Sequence, residues 1–173
     1  KQGGWDYTRW MGHTIKGMNV GIVGYGRLGK MMYNYCEAFG ADVRIYDPYV
    51  KDTLSDAFLL NNWFSNLDEL FEWSDAVSLH VHASKDTDKM INRSLLDKCS
   101  NLLLVNTSRG SIVDEDDVCK ALEKGNLSGY GADVLADEYE ELRWSPLKES
   151  MLLTSHNIVI TPHVGGMTWE GQQ

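Results

Sequence analysis

The chain has 173 residues, of which 43% are hydrophobic, and this length is typical of one globular domain with a sizeable core. Its formal net charge is −9 and it has no Lys/Arg-rich run, which disfavours a nucleic-acid or membrane-surface partner. No apolar run approaches the roughly 20 residues of a membrane span, and the three cysteines form no C-x-x-C pair, as is typical of free thiols in a reducing cytoplasm.

Short apolar runs alternate with amphipathic segments, a pattern typical of βαβ units around a parallel sheet. The predicted strands are Met18–Val23, Asp42–Tyr46, Ala76–Val81, Leu102–Asn106, Tyr130–Val134 and Ile158–Thr161. The predicted helices are Arg27–Phe39, Asn66–Trp73, Ser94–Cys99 and Glu115–Lys124. The region between the second strand and the helix at Asn66–Trp73 is ambiguous, with a possible short helix at Leu54–Leu60 and a possible short strand at Trp63–Phe64. This succession predicts one doubly wound Rossmann domain of the α/β class.

Spacing within the first helix predicts that Leu28, Met31, Met32 and Tyr35 share its apolar face, with Gly40 as its C-terminal stop. The strand LLLVN is apolar on both faces, which predicts a central place in the sheet.

The last long helix has signals at both of its ends. Asp114 is placed to act as its N-cap, and Gly125 to end it.

A glycine-rich loop follows the first strand. Gly24, Gly26 and Gly29 form a G-x-G-x-x-G pattern that opens a helix, and Asp47 ends the second strand about 20 residues later. The glycines permit a tight turn and a close backbone approach to a pyrophosphate, while the helix N-terminus attracts the phosphates. A carboxylate at Asp47 suits the adenosine ribose hydroxyls and repels a 2′-phosphate, which favours NAD over NADP. The plainer alternative for Asp47 is a solvated turn residue.

Several segments, in the same order, resemble the D-isomer-specific 2-hydroxyacid dehydrogenase family, and they match its cofactor-binding domain. They are Val20–Lys30, Tyr46–Tyr49, Ser78–Asn92, Asn106–Val118, Gly131–Glu138 and Thr161–Gly166. The resemblance implies reversible hydride transfer between NAD and a small 2-hydroxy or 2-oxo acid.

The resemblance also implies three catalytic residues. Arg109 in NTSRG resembles the arginine that holds the substrate carboxylate, a role that suits its planar and permanently charged guanidinium. His163 in TPHVGG resembles the acid/base histidine, and Glu138 its carboxylate partner, which would favour the imidazolium and fix its tautomer. Glu138 lies in the acidic run at 137–141, and only the alignment selects it from that run.

A further set of residues is implied to contact NAD. Within it, Asp133 resembles the residue that contacts the nicotinamide carboxamide. The full set is Gly24, Gly26, Arg27, Leu28, Gly29, Asp47, Pro48, His80, Val81, Thr87, Thr107 and Asp133.

The pair His80 and His82 departs from the family pattern, which usually has proline at the position of His82. This change puts the path of the local loop in question. Alternate residues of a strand share a face, so an H-x-H pair can begin a metal site, but no further Cys/His cluster accompanies it. We therefore expect no metal.

The expected domain organisation is an N-terminal arm over residues 1–17, a Rossmann domain over 18–165, and the start of a truncated helix over 166–173. The family builds its substrate domain from both chain ends, so the resemblance implies that this domain is absent here. The segments Gly4–Trp5 and Trp10–Gly12 resemble the arm through which family members pair, which predicts a homodimer.

Other functions stay open at this stage. Corepressors that resemble this family keep the same three residues, so an NAD(H)-gated dimeric binding module is the alternative to an enzyme. The NTSRG and TPHVGG segments argue against another Rossmann enzyme such as a homocysteine hydrolase. Formate oxidation is disfavoured because formate-oxidising relatives pair the histidine with glutamine rather than glutamate.

Overall fold

A parallel sheet forms the centre of the molecule. The computed structural model describes residues 11–136, 138 and 157–169. In this part of the chain the strands are β1 (Asn19–Val23), β2 (Asp42–Tyr46), β3 (Ala76–Leu79), β4 (Leu102–Asn106), β5 (Leu127–Ala132) and β6 (Ile158–Ile160). They form one sheet in the order β2-β1-β3-β4-β5-β6, and every neighbouring pair is parallel.

Helices connect these strands and cover the sheet. They are α1 (Arg27–Ala38), α2 (Asp56–Asn62), α3 (Leu67–Trp73), α4 (Arg93–Leu96) and α5 (Glu115–Lys124), with short 3-10 turns at Lys51–Thr53 and Gly110–Ile112. The strand order reverses between β1 and β3, so the topological switch point lies at the carboxyl ends of these two strands. The predicted doubly wound Rossmann architecture is confirmed.

Two apolar clusters fill the space between sheet and helices. Val20 and Ile22 of β1 belong to one cluster, and Val23 belongs to the other, because successive side chains of a strand point to opposite faces. The central place of β4 is confirmed, but its predicted burial on both faces is only partly correct. Leu102 and Leu104 are fully buried, whereas Leu103 is 39% exposed.

Helix α1 presents a different face to the sheet from the one that the sequence pattern predicts. Its buried residues are Gly29, Tyr33 and Cys36, whereas Leu28 and Tyr35 are exposed. A Cβ at Gly29 would lie 2.0 Å from the carbonyl oxygen of Gly24, so the glycine must face the strand for the helix to pack this closely. The apolar pattern alone gives no sign of this packing. Of the predicted face, Met31 is also exposed and Met32 is partly buried.

Both possible elements between residues 54 and 64 are present, but the helix lies two residues later than predicted and the strand is reduced to an isolated bridge. Helix α2 begins after Ser55, whose hydroxyl accepts a hydrogen bond from the backbone N–H of Phe58. Trp63 then forms an isolated parallel bridge with Ile45, and the N–H of Phe64 donates to the carbonyl of Ile45 at 2.9 Å. This bridge lies next to the free edge of β2, at the position of the third strand of a Rossmann sheet.

Strand β5 starts three residues before its predicted start at Tyr130. Leu127 pairs with Leu102, and the register then shifts so that Gly129 pairs with Leu103. Gly and Ser have low strand propensity, so the local sequence conceals this segment, and pairing with β4 overrides the local preference.

Candidate active site

The loop between β1 and α1 is shaped by glycines in two different ways. Gly24 has a φ of +91°, and a Cβ there would lie 2.7 Å from the carbonyl oxygen of His80, so only glycine fits. Gly26, in contrast, is exposed and has no atom within 4 Å of the place of its Cβ. The first turn of α1 contains no acidic residue. The helix N-terminus can therefore receive an anion beside Gly26.

Asp47 lies beside this loop, at the end of β2. One of its carboxylate oxygens accepts the N–H of Tyr25 at 2.8 Å, and the other accepts the N–H of Tyr49 at 2.9 Å. These two bonds hold the carboxylate in one orientation next to the glycine loop. The carboxylate can accept further hydrogen bonds, because its two oxygens offer about four acceptor positions.

A cavity of about 300 Å³ opens beside the loop and Asp47. It is lined by Gly24, Gly26, Tyr46, Asp47, Pro48, Tyr49, His80, Val81, His82, Asp86, Thr87 and Met90. Most of the predicted cofactor residues thus share one cavity. Sequence reasoning missed Tyr46, Tyr49, Asp86 and Met90, and only their position inside or beside the recognised segments pointed towards them.

His80 and His82 have different surroundings. The Nε2 atom of His80 lies 2.9 Å from the hydroxyl oxygen of Ser78, and burial lowers the pKa of His80, which favours a neutral imidazole at the cavity wall. His82 is exposed. Among the described residues, no three His, Cys, Asp or Glu side chains are grouped as a metal ion requires.

The loop after β3 is held without the proline that is usual at the position of His82. The hydroxyl of Thr87 donates to the carbonyl oxygen of His82 at 2.7 Å and accepts the N–H of Ser84 at 2.8 Å. These hydrogen bonds close the loop on itself next to the cavity.

Arg109 follows β4, in extended backbone. The side chain of Asn106 holds this turn: its amide nitrogen donates to the carbonyl of Arg109 at 3.0 Å, and its oxygen accepts the N–H of Ser108 at 3.0 Å. The guanidinium of Arg109 is exposed and donates to the carbonyl of Ser108 at 2.6 Å. The salt bridges between described residues do not include Arg109, and the planar guanidinium is chemically suited to a carboxylate ligand.

Glu138 and His163 form a close pair. A carboxylate oxygen of Glu138 lies 2.8 Å from Nδ1 of His163, within hydrogen-bond distance, and a proton on Nδ1 would be donated to this oxygen. The other carboxylate oxygen accepts the N–H of Leu135 at 3.3 Å. No hydrogen bond joins Nε2 of His163 to another described residue.

Asp133 shapes the turn that carries His163. Its carboxylate accepts the hydroxyl of Thr161, the N–H of Val164 at 2.9 Å and the N–H of Gly165 at 2.8 Å. These bonds enclose His163, whose φ of +55° is unusual for a residue with a side chain. Burial raises the pKa of Asp133, but the hydrogen bonds and the nearby His163 together lower it by more than burial raises it. The net pKa of Asp133 therefore lies below its usual value.

The other predicted cofactor residues do not border the cavity. Gly29 packs against the loop, Asp133 is engaged in the turn, and Arg27, Leu28 and Thr107 are exposed. In chemical terms, an open glycine, an anion-accepting helix end and a fixed carboxylate next to one cavity fit a dinucleotide. The fold and site therefore define a dinucleotide-binding α/β domain that also holds a glutamate and a histidine in contact.

The chain belongs to the D-isomer specific 2-hydroxyacid dehydrogenase family: the NAD-binding domain of that family matches residues 1–165. The resemblance drawn from the sequence motifs, and NAD as the cofactor of this domain, are thereby confirmed. In the described residues, no helix is long and apolar enough to cross a membrane.

Individual relatives support the same assignment. The chain is 32% identical to a D-3-phosphoglycerate dehydrogenase of Methanocaldococcus jannaschii over all of its own length and 32% of the relative. It is 32% identical to a glyoxylate reductase of Thermococcus litoralis, covering 98% of this chain and 49% of the relative. The crystal structure of D-lactate dehydrogenase from Aquifex aeolicus with NAD and lactic acid superposes with a TM-score of 0.80 at 31% identity, covering 94% of this chain and 51% of that one. The chain thus spans between a third and a half of these relatives.

Proposed function

We propose that this chain is the cofactor-binding part of an enzyme that transfers a hydride between NAD(H) and a small 2-hydroxy or 2-oxo acid. The observation that carries the proposal is the pairing of Glu138 with Nδ1 of His163, with the exposed Arg109 on a turn that touches the same segment. A Cβ at Gly110 would lie 2.0 Å from the carbonyl carbon of Leu135. The arginine turn, residues 106–110, is therefore in direct contact with residues 135–136, which precede Glu138.

In this proposal each of the three side chains has a separate task. Arg109 binds the carboxylate of the substrate in the planar manner that a guanidinium allows, and orients the neighbouring carbonyl. His163 donates a proton from Nε2 to the carbonyl oxygen during reduction and takes it back during oxidation. Glu138 stabilises the imidazolium and keeps Nε2 directed at the substrate. The cofactor, when bound, supplies or accepts the hydride.

The finer properties of the whole protein belong to the same proposal. The described thiols of Cys36 and Cys99 are free, which supports a reducing compartment, and we propose the cytoplasm. The substrate domain lies outside this chain, and the protein is a homodimer that binds neither nucleic acid nor membrane. The relatives named above are dehydrogenases and a reductase, which favours the enzyme over the corepressor-type binding module, and the test below includes that module as an outcome.

The test compares this chain with its intact parent. NADH binding is followed by fluorescence, and NADH oxidation is followed by absorbance with glyoxylate, hydroxypyruvate, pyruvate and phosphohydroxypyruvate. We expect this chain to bind NADH but to show orders of magnitude less turnover than the parent, because positioning and water exclusion by the second domain are missing.

An Arg109→Ala parent distinguishes the two functions. An enzyme loses turnover with this variant while its NADH affinity is retained. A parent that binds NADH but turns over none of the four acids contradicts the enzyme and favours the corepressor-type module. Comparable turnover by this chain alone would contradict the proposal that turnover needs a substrate domain outside this chain.

A further inference from the structure

Glu115 is a buried carboxylate at a helix end where exposed carboxylates are the rule. It is the first residue of α5 and only 7% exposed, whereas Asp116 beside it is exposed. The helix dipole favours an acidic residue in the first turn whether it is exposed or partly buried, so the dipole alone does not explain why Glu115 is buried. A buried ionised group has to be compensated by hydrogen bonds, so its partners indicate its purpose.

One partner of Glu115 lies in the segment that carries Glu138. A carboxylate oxygen of Glu115 accepts the N–H of Ala136 at 2.9 Å, across 21 residues of sequence. Two residues further on, Glu138 bonds back to the N–H of Leu135 and forward to Nδ1 of His163. The amide that Glu115 holds is therefore part of the short loop that aims Glu138.

The same loop is confined from a second side. A Cβ at Gly110 would lie 2.2 Å from the carbonyl oxygen of Leu135 and 2.3 Å from the nitrogen of Ala136. The backbone at Gly110 is therefore in van der Waals contact with the backbone of residues 135–136. Gly110 directly follows Arg109 in the sequence. Gly110 limits how closely the loop approaches the arginine turn, and Glu115 binds the N–H of Ala136. Together these two contacts fix the position of residues 135–136 relative to that turn.

We propose that Glu115 is a positioning residue that fixes the backbone at Ala136 and thereby seats Glu138 against His163. Its contribution is the reach of its side chain to the N–H of Ala136, not its charge. The catalytic meaning of this contact rests on the proposed function, but the contact itself does not.

The test separates reach from charge in this chain as it exists. Glu115→Asp keeps the charge and shortens the side chain by one methylene, so it loses the N–H of Ala136. Glu115→Gln keeps the reach and an acceptor oxygen but removes the charge. Asp116→Asn is the matched control, because it removes a charge from the same helix turn without touching the loop. Glu138→Ala supplies the spectrum of an unpaired His163.

The readout is the hydrogen-bonded proton on Nδ1 of His163, observed by proton–nitrogen correlation NMR of the ring and assigned with a His163→Gln variant. We expect wild type, Glu115→Gln and Asp116→Asn to keep this signal, and Glu115→Asp to lose it as Glu138→Ala does. NADH affinity should be unchanged in all variants at position 115, because Glu115 does not line the cavity.

The proposal is overturned if Glu115→Asp keeps the signal, or if Glu115→Gln loses it, since the second result assigns the effect to charge. Urea unfolding of each variant shows that a lost signal comes from a folded chain. If the expected pattern is found and the intact parent still transfers no hydride, the proposed function fails while the positioning role of Glu115 stands.

Discussion

Carboxylates that accept backbone N–H groups set much of the local geometry at the carboxyl edge of the sheet. Asp47 holds the glycine loop, Asp133 holds the turn of His163, and Glu115 holds the loop of Glu138. Each bond joins segments more than 20 residues apart. Hydrogen bonds to a charged acceptor are roughly twice as strong as neutral ones, so one side chain can order a whole loop.

Asp47 is the residue that we expect to select the cofactor. Replacing it by asparagine removes the charge with little change of shape, so NADH affinity should fall about tenfold, corresponding to roughly 1.5 kcal/mol for a hydrogen bond to a charged group. The preference for NADH over NADPH should shrink at the same time, because the repulsion of a 2′-phosphate is lost. Titration calorimetry measures both affinities. Asp52→Asn, at an exposed position of the following 3-10 turn, is the control, and a wild type that binds NADPH as tightly as NADH contradicts the prediction.

Asp133 gives the fold a dependence on acid. Because its pKa in the folded chain is below the usual value, folding favours the carboxylate, and this stabilisation is complete above the usual aspartate pKa of about 3.9. It is lost as the pH falls through the lowered pKa. We expect Asp133→Asn to be less stable than wild type at neutral pH, and the difference to shrink below pH ~4. Urea unfolding at a series of pH values measures this, and a difference that is constant with pH would contradict it.

Among the elements, α5 depends on its N-cap. The carboxylate of Asp114 accepts the N–H of Asp117 at 3.2 Å and receives a hydrogen bond from Lys89 at 3.0 Å. Asp114→Ala should lower the free energy of unfolding by about 1 kcal/mol, as is usual for a lost cap. Asp114→Asn, which keeps a capping oxygen, should recover most of this. Thermal or urea unfolding decides, and equal losses in both variants would show that the contact with Lys89 matters more than the cap.

The junction of β1 and α1 allows binding and folding to be separated with two alanines. Gly26→Ala meets no protein atom, so the chain should fold normally, but its methyl group should weaken NADH binding where the pyrophosphate approaches. Gly29→Ala places a Cβ 2.0 Å from the carbonyl oxygen of Gly24, so it should cost stability of at least 1–3 kcal/mol, as overpacking does. Unfolding curves and NADH titrations of both variants test this. A Gly26→Ala chain with full affinity would contradict the placement of the phosphates.

The elements that the sequence predicts well are those with local signals. Helix α5 has the predicted bounds because its cap and its stop are adjacent to it in sequence. The start of β5 is wrong in the prediction because it depends on pairing with β4, which is distant in sequence. The face of α1 is wrong because the close packing at Gly29 sets it, and the apolar pattern does not show this packing. The same holds at the site. Motifs identify Glu138 and His163, but nothing local reveals that Glu115 reaches Ala136 or that Asp133 closes the turn.

At the scale of the whole molecule, exposed apolar residues point to association. Leu28 of α1 is 64% exposed, Phe39 just after α1 is 68% exposed, and Met11 is also exposed. Trp5 and Trp10, two further apolar residues of the predicted arm, lie outside the described residues. We expect a homodimer in light scattering at tens of micromolar, because a monomer would leave these surfaces in water. A monomer mass across the whole concentration range would contradict this prediction.

The contact of Gly110 with residues 135–136 has a consequence for how the domain opens. Two backbone segments in direct contact cannot separate by side-chain motion, so the arginine turn and the glutamate loop have to unfold locally together. The amide of Ala136, which lies at this contact and donates to Glu115, then exchanges its hydrogen with solvent only when the whole unit opens. Opening at this edge of the sheet therefore displaces the turn of Arg109 and the backbone at residues 135–136 as one unit.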